Sequence, residues 1–560
     1  MADPATEPAS PDIRPAVNGM DFGTVRRAFD DTVAWHAARA FVCVTPATAA
    51  AYGIDAGELL YGDAAFAVHG LTERYRVAGY GHGHRAGLLL DNRPDFLLHW
   101  LALNGLGVSI VPINAEFRAA ELDYLVDHSE IALAVVPDAR LPDLQAAAAR
   151  TGRPLATATP QGPVPPAPFA APHAGRAPDL NSECALLYTS GTTGRPKGCI
   201  LPNEYFLWGG EWYRSVGGLI ALREGQERLI TPLPLVHMNA LACSTMAMLL
   251  TGGCIVQLDR FHPSSWWDSV REGGATICHY LGVMPAMLMG APAGPQDRDH
   301  GLRFGFGAGV DPRHHAAFEA RFGFPLIEAW AMTETGVGGC VIASEEPRHV
   351  GEKCFGRAAP QVEARIVDEA GADLPPGGEG ELLVRRAGTD RSFGFFKGYL
   401  KNPEATAEAW AGGWFHTGDV VTRDAAGFFR FVDRKKNVIR RSGENIAAVE
   451  VESVLLQHPR VAAAGVAAVP DPVRGDEVMA LVVPRDPLAP GEQAALAAEL
   501  VRFCLDRLAY YKAPGYVAFC DGLPLTPTQK VQRGELKALA AVQVAAPSCT
   551  DTRDLKKRQG

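Results

Sequence analysis

Eleven cysteines are scattered along the 560 residues, yet no two stand in a Cys-x-x-Cys spacing, which excludes a zinc ribbon and a disulfide-stapled scaffold. Such cysteines suit the core of a protein kept in a reducing compartment. Positive charge is also short. The formal net charge is -10, which disfavours a nucleic-acid partner and gives no general attraction for anions. Any phosphate site must therefore build its own local field from a few lysines and arginines. The opening MADPATEPASPD lacks a basic region followed by an apolar one, so no secretory leader is expected and the chain reads as cytoplasmic. One uncharged stretch, residues 238–258, is long enough to raise the question of a membrane span. Asn239, Ser244, Thr245 and the Gly252-Gly253 pair divide it into a buried helix, a glycine stop and the strand CIVQL, so no transmembrane segment is expected.

With 47% hydrophobic and 21% charged residues, the composition is globular, and the length allows three or four domain-sized units. Between residues 92 and 136, DFLLHWLALNGLG reads as helix, VSIVPIN as strand, AELDYLVDHS as helix and IALAVV as strand. That alternation predicts a parallel sheet covered by helices. Residues 156–180 are rich in Pro and Ala and predict a connector without regular structure. After Gly380 shorter strands and turns set in. Beyond Asp433 a compact α+β unit is expected, with helices near 449–457 and 492–508 and strands at 461–469, 478–483 and 516–520. The ends, 1–20 and 546–560, read as loose tails, with the KKR near the C-terminus solvated.

The most informative stretch is YTSGTTGRPKG at 188–198, led in by the buried-strand pattern ALLY. Ser190, Thr192 and Thr193 offer hydroxyl donors, Gly191, Gly194 and Gly198 let backbone N–H groups approach anionic oxygens, and Lys197 supplies charge. These are the parts of a polyphosphate-binding loop. A P-loop is excluded, because that motif needs Gly directly before its Lys and Ser or Thr directly after it, whereas Pro196 and Gly198 flank Lys197. A surface Gly/Thr turn shares the composition; the further motifs weigh against it.

The run, with Thr189 inside it, resembles the signature loop of the adenylate-forming superfamily, which includes acyl-CoA synthetases, luciferases and peptide-synthetase adenylation domains. The resemblance extends over about residues 90–540, with the motifs in the superfamily's order. AWAMTET at 329–335 is similar to the YGMTE motif, which implies that Trp330 flanks adenine, Thr333 donates to the α-phosphate and Glu334 helps hold Mg2+. GFGAGV at 305–310 resembles the glycine-rich turn against adenine, here Gly307 and Ala308, with Gly309 in place of the usual proline. WFHTGD at 414–419 implies ribose binding by Asp419. FFRFVDRKKNVIRRSGENI resembles the interdomain segment, with Arg434 at a ribose-contacting position and Lys436 at the hinge. Its GENI, 443–446, resembles the loop beside the pantetheine tunnel, where Gly443 gives the thiol room. PLTPTQKVQR at 524–533 places Lys530 in the catalytic position, with Gln529 replacing a glycine. His237, in PLPLVHMNA, falls beside the acyl pocket. General-base catalysis is not required of it, since a carboxylate is already ionised at neutral pH.

The resemblance implies an α/β fold: a large multi-subdomain N-terminal domain at 21–433, with parallel sheets covered by helices, and a small mobile α+β C-terminal domain at 434–545. It implies ATP-dependent activation of a carboxylic acid to an acyl-adenylate and transfer to coenzyme A, with ATP, Mg2+ and coenzyme A as the small molecules used. No carrier domain with a phosphopantetheine serine follows in the sequence, which favours coenzyme A, and the wording of DRKKNVIRRSGENI resembles crotonobetaine/carnitine-CoA ligases. Loading of a separate carrier protein stays open, as do a homodimer and an inactive nucleotide-binding regulator. Intact Lys530, Glu334 and Asp419 argue against the regulator. Gly338 and Gly339 mark either space in the acyl pocket or close packing.

Overall fold

The computed structural model describes residues 19–189, 196–434, 438–489, 491–524 and 531–556. A six-stranded sheet runs, in spatial order, Ala156–Ala158, Leu133–Val135, Arg85–Leu88, Ser109–Pro112, Glu183–Thr189 and Lys197–Pro202. The first five strands are parallel, and the last folds back antiparallel on its neighbour. The predicted alternation is realised by the helices Pro94–Gly105 and Ala119–Ser129. Every residue of Ser109–Pro112 and Leu133–Val135 is buried, as a parallel sheet covered on both faces requires.

In a second sheet, of eight strands, Arg228–Thr231, Cys254–Gln257, Ile277–Leu281, Phe304–Ala308 and Leu326–Trp330 run parallel. The uncharged stretch behaves as its glycines dictate: the helix Thr245–Thr251 is capped by Gly252 at φ 62, and the strand Cys254–Gln257 follows. Among the described residues no helix is long and apolar enough to cross a membrane. The carboxyl ends of these strands lead into the turns that carry His237, Gly282, Gly309 and Thr333. Ligands of open α/β sheets bind at that edge.

The change to antiparallel structure comes before Gly380: Cys354–Gly356, Phe429–Arg434, Phe415–Arg423, Gly380–Arg386 and Val362–Val367 form a third sheet. One apolar core joins the three sheets. The small domain has its own sheet and core. The hairpin Val438–Arg441 and Glu444–Ala447 joins Val461–Asp471, Gly475–Pro484, Tyr516–Phe519 and Thr550–Asp551. Helices Ala448–Leu455 and Gln493–Leu505 cover one face of it and Arg533–Gln543 covers the other. Val478, Ala480 and Val482 point to the first face and Met479 and Leu481 to the second, the alternation of a sheet buried on both sides.

Three expectations are corrected. The connector 156–180 begins with a strand, Ala156–Ala158, because its small residues extend the parallel sheet at an open edge. The chain is already a helical turn at Gly19–Phe22, inside the expected N-terminal tail, with the Gly19 N–H donating to the Glu211 carboxylate at 3.1 Å. The C-terminal tail is not loose from 546: Thr550–Asp551 pairs with Tyr516–Phe519, and Lys556, first of the KKR run, is buried on Glu477. A buried carboxylate needs a cation, and that need outweighs the solvation of one lysine.

Candidate active site

The strands Glu183–Thr189 and Lys197–Pro202 are two arms of a hairpin in which Thr189 faces Lys197 across the ladder. The signature loop is therefore their connection. Ser190, Gly191, Thr192, Thr193 and Gly194 lie outside the described residues, as do Lys436 and Lys530. At the hairpin's mouth stands Glu334, buried, its Oε1 accepting from the Thr189 hydroxyl at 3.2 Å and from the Tyr399 hydroxyl at 3.0 Å. Burial pushes the Tyr399 hydroxyl far up, and Glu334 adds to the effect, so this tyrosine stays a donor. The Lys197 ammonium lies 4.8 Å from the centre of the Tyr399 ring. Thr333 is half-buried, and its carbonyl accepts from the Tyr205 hydroxyl at 2.9 Å, which pins the turn.

Among the described residues no group of three or more His, Cys, Asp or Glu could hold a metal ion. One carboxylate steadied by two hydroxyls fits Mg2+, which keeps several waters and takes its remaining ligands from phosphate. Glu334→Gln preserves an acceptor for both hydroxyls and removes the charge. The Mg2+ concentration for half-maximal adenylation is expected to rise roughly tenfold at saturating ATP; an unchanged midpoint would remove Glu334 from the metal site.

Trp330, the last residue of its strand, donates its indole N–H to Asp419 Oδ2 at 2.8 Å, and both are buried. A tyrosine at 330 carries no ring N–H, so the tryptophan ties the end of its strand to Asp419 directly. Asp419 retains further acceptor capacity, because each carboxylate oxygen has two lone-pair positions. Arg434 is its cross-strand partner. Gly307 and Ala308 end the strand Phe304–Ala308, where a Cβ on Gly307 would fall 2.2 Å from the Tyr280 carbonyl. Gly309 has φ 81, which proline cannot adopt. Its N–H and that of Val310 both donate to the buried Glu328 carboxylate, each at 3.1 Å, so Glu328 shapes the turn. Sequence reasoning passed over Glu328 and Tyr399, although one acid inside the apolar strand LIEAW signals a partnered role. Gly338 and Gly339 serve close packing: added Cβ atoms would meet the Phe393 carbonyl at 2.5 Å and the Phe395 ring at 2.9 Å.

The small domain docks on this edge. Ser442 and Gly443, with φ 52 and 92, form the two-residue turn of the hairpin that pairs Arg441 with Glu444. Gly443 sits so close to the large domain that a Cβ would lie 2.3 Å from Leu281 Cδ1. The expected room for a thiol at Gly443 is thus occupied by Leu281; the glycine is what lets the turn reach the strand end. Glu444 Oε1 lies 3.3 Å from His237 Nε2. Burial pushes the imidazole down, but the Glu444 carboxylate outweighs it and raises the His237 pKa above the ordinary value. At a second contact between the domains, the Lys512 ammonium is buried between Glu121 of the large domain, at 2.5 Å, and Glu450 of the small domain, at 2.7 Å. Burial alone would lower its pKa, and the two carboxylates reverse the shift. The Ala509 N–H donates to the same Glu121 at 3.0 Å, and Asn114 donates to the Tyr511 hydroxyl at 3.2 Å. A cleft of about 730 Å³ opens beside this contact, between Tyr124, Tyr188 and Pro196 on one side and Glu450 and Ser453 on the other.

Lys512→Met keeps the apolar stem and leaves two carboxylates without their cation in the docked arrangement, where a broken buried pair costs about 3–5 kcal/mol. Thioester formation is expected to fall at least about tenfold, since undocking relieves part of that cost. Adenylation measured without coenzyme A should change less than about twofold. Comparable losses in both would show that the contact serves folding alone.

The AMP-binding enzyme family matches residues 42–400, and the AMP-binding enzyme C-terminal domain matches 450–530. The chain belongs to this family of enzymes. It is 34% identical over 501 residues to a sulfoacetate–CoA ligase of Cupriavidus necator, covering 86% of this chain and 93% of that one. It is 32% identical over 478 residues to a crotonobetaine/carnitine–CoA ligase of Salmonella typhi, covering 82% and 89%. Among solved structures, a malonyl-CoA ligase with methylmalonyl-CoA and AMP bound superposes with a TM-score of 0.71 at 28% identity, over 87% of this chain and 97% of that one. An o-succinylbenzoate CoA synthetase of Bacillus subtilis gives a TM-score of 0.76 at 24% identity, over 91% and 98%, a likeness of fold. The expected adenylate-forming architecture is confirmed.

Proposed function

We propose that the enzyme activates a carboxylic acid with ATP and transfers the acyl group to coenzyme A, releasing AMP and pyrophosphate. The observation that carries this reading is the docked turn 442–444. It brings a small-domain loop onto Leu281 and His237 at the strand ends where the nucleotide residues converge. The substrate carboxylate attacks the α-phosphorus, the bond to the β-phosphate oxygen breaks, and pyrophosphate leaves. The thiol then loses its proton to solvent, its sulfur attacks the acyl carbon, and AMP departs as the acyl–oxygen bond breaks. In the first step two anions meet, so positive charge and donors at the reacting centre dominate the rate. Lys530 neutralises that centre, Thr333 donates to the α-phosphate, Trp330 and Asp419 fix the nucleoside, and Thr189, Lys197 and the signature loop hold the β- and γ-phosphates. Glu334 would hold Mg2+, which would supply charge neutralisation to the phosphates. In the second step the hinge at Lys436 turns the small domain so that Gly443 and Glu444 replace Lys530 at the strand ends.

The curated relatives are coenzyme A ligases, which favours coenzyme A over a carrier protein as acceptor. Their named acids, sulfoacetate and carnitine or crotonobetaine, carry a second charge, so such acids belong first in a substrate panel. AMP and acyl-CoA formation across short, branched, aromatic, sulfonated and quaternary-ammonium acids tests the proposal. Release of pyrophosphate with none of them would restore the reading of a nucleotide-binding regulator.

A further inference from the structure

Among the described residues, the C-terminal segment 550–556 bonds to the small domain at Glu477, Tyr511, Pro514 and Gly515, and so holds both elements through which that domain docks. The Lys556 ammonium is buried against Glu477 Oε1 at 2.5 Å. Glu477, itself fully buried, accepts through Oε2 from Arg441 at 2.8 Å. Burial pushes the Glu477 carboxyl up, but Lys556 and Arg441 outweigh it and hold the group below its ordinary value, ionised. Arg441 closes the hairpin whose turn meets Leu281 and His237. Gly515 leaves room for the carboxylate, since a Cβ there would fall 2.5 Å from Glu477 Cδ. The same segment also grips the strap 509–515, which carries Lys512 and Tyr511. The Thr552 N–H donates to the Gly515 carbonyl at 2.9 Å, its hydroxyl donates to the Pro514 carbonyl at 2.9 Å, and Lys556 reaches the Tyr511 carbonyl at 3.5 Å.

From this convergence we infer that the C-terminal segment, through Lys556 and Thr552, positions the thioester-forming face of the small domain. Lys556 is a positioning residue for the second half-reaction and has no part in the first. The physical reason is that Glu477 is shared by Arg441 and Lys556, on different pieces of chain; burial, then Arg441, pulls the Lys556 ammonium down to about 7, and Glu477 opposes that fall. Its position sets the stem of the turn and, through Lys556, the strap beside it. Adenylation uses the small domain through Lys530; among the described residues Val531 and Leu523, which flank that motif, pack with Leu536 and make none of the Glu477 contacts.

The inference rests on the coenzyme A ligase reading, and the test separates the two. With an acid that the wild-type enzyme converts to its acyl-CoA, both half-reactions are followed in single turnovers of the full-length enzyme. Lys556→Met is expected to leave pyrophosphate release within about twofold of wild type. It should slow acyl transfer to coenzyme A about tenfold and raise the KM for coenzyme A. Lys556→Arg, which keeps a cation on Glu477, should recover most of the rate. Thr552→Val is the milder companion variant, removing one hydroxyl; it should show the same split at about two- to fivefold. Equal loss of both half-reactions, or no loss of either, in Thr552→Val and Lys556→Met overturns the inference and makes the segment a structural cap. Absence of any acyl-CoA product in the wild type would instead overturn the functional reading.

Discussion

Lys530→Ala is expected to slow pyrophosphate release by roughly a hundred- to a thousandfold, while ATP affinity measured by calorimetry changes little. A single preorganised donor aimed at developing charge contributes about 3 to 4 kcal/mol to such a step. In the proposed site the nucleotide has other holds: the indole of Trp330, the carboxylate of Asp419 to which it is tied at 2.8 Å, and the Glu334 cluster at the mouth of the signature hairpin. These sit on the large domain and survive the substitution. Acyl transfer from supplied acyl-adenylate should be nearly normal, because Gly443 and Glu444 then face the strand ends. If transfer fell as far as adenylation did, Lys530 would be serving the small domain's fold and not the first chemical step.

Much of this site was legible because the chemistry requires particular residue types and the resemblance supplies their order. Thr189 and Glu334 are separated by 145 positions and Trp330 and Asp419 by 89, yet the folded chain joins each pair by a hydrogen bond. The parallel layers around 92–136 were legible for a simpler reason: apolar runs of strand length alternated with helical ones. What escaped was set by tertiary contact. Tyr399 lies in a loop without periodicity, and only its approach to Glu334 and Lys197 gives it a role. Glu121 sits in the first turn of an amphipathic helix, where an acid is ordinary, and Lys512 follows two tyrosines in a turn. Neither residue carries a local sign that the other domain will bury it. Lys556 was hidden in the same way, because a lysine within KKR at a chain end reads as solvated until Glu477 is seen beneath it.

In the proposed mechanism one set of strand ends is used twice, in two orientations of the small domain. Arg434 ends the last strand of the third sheet, and Val438 begins the first strand of the small domain, so Lys436 belongs to the short link between them. Proline fixes φ near roughly -65° and removes an N–H donor, so Lys436→Pro restricts rotation at the link without altering a reacting group. The deciding measurement is a single turnover of this variant, first without and then with coenzyme A, recording pyrophosphate and acyl-CoA separately. Pyrophosphate release is expected to be retained and acyl-CoA formation lost, the reverse of Lys530→Ala. Equal loss of both in a folded Lys436→Pro protein, or unimpaired formation of both, would contradict the proposed mechanism.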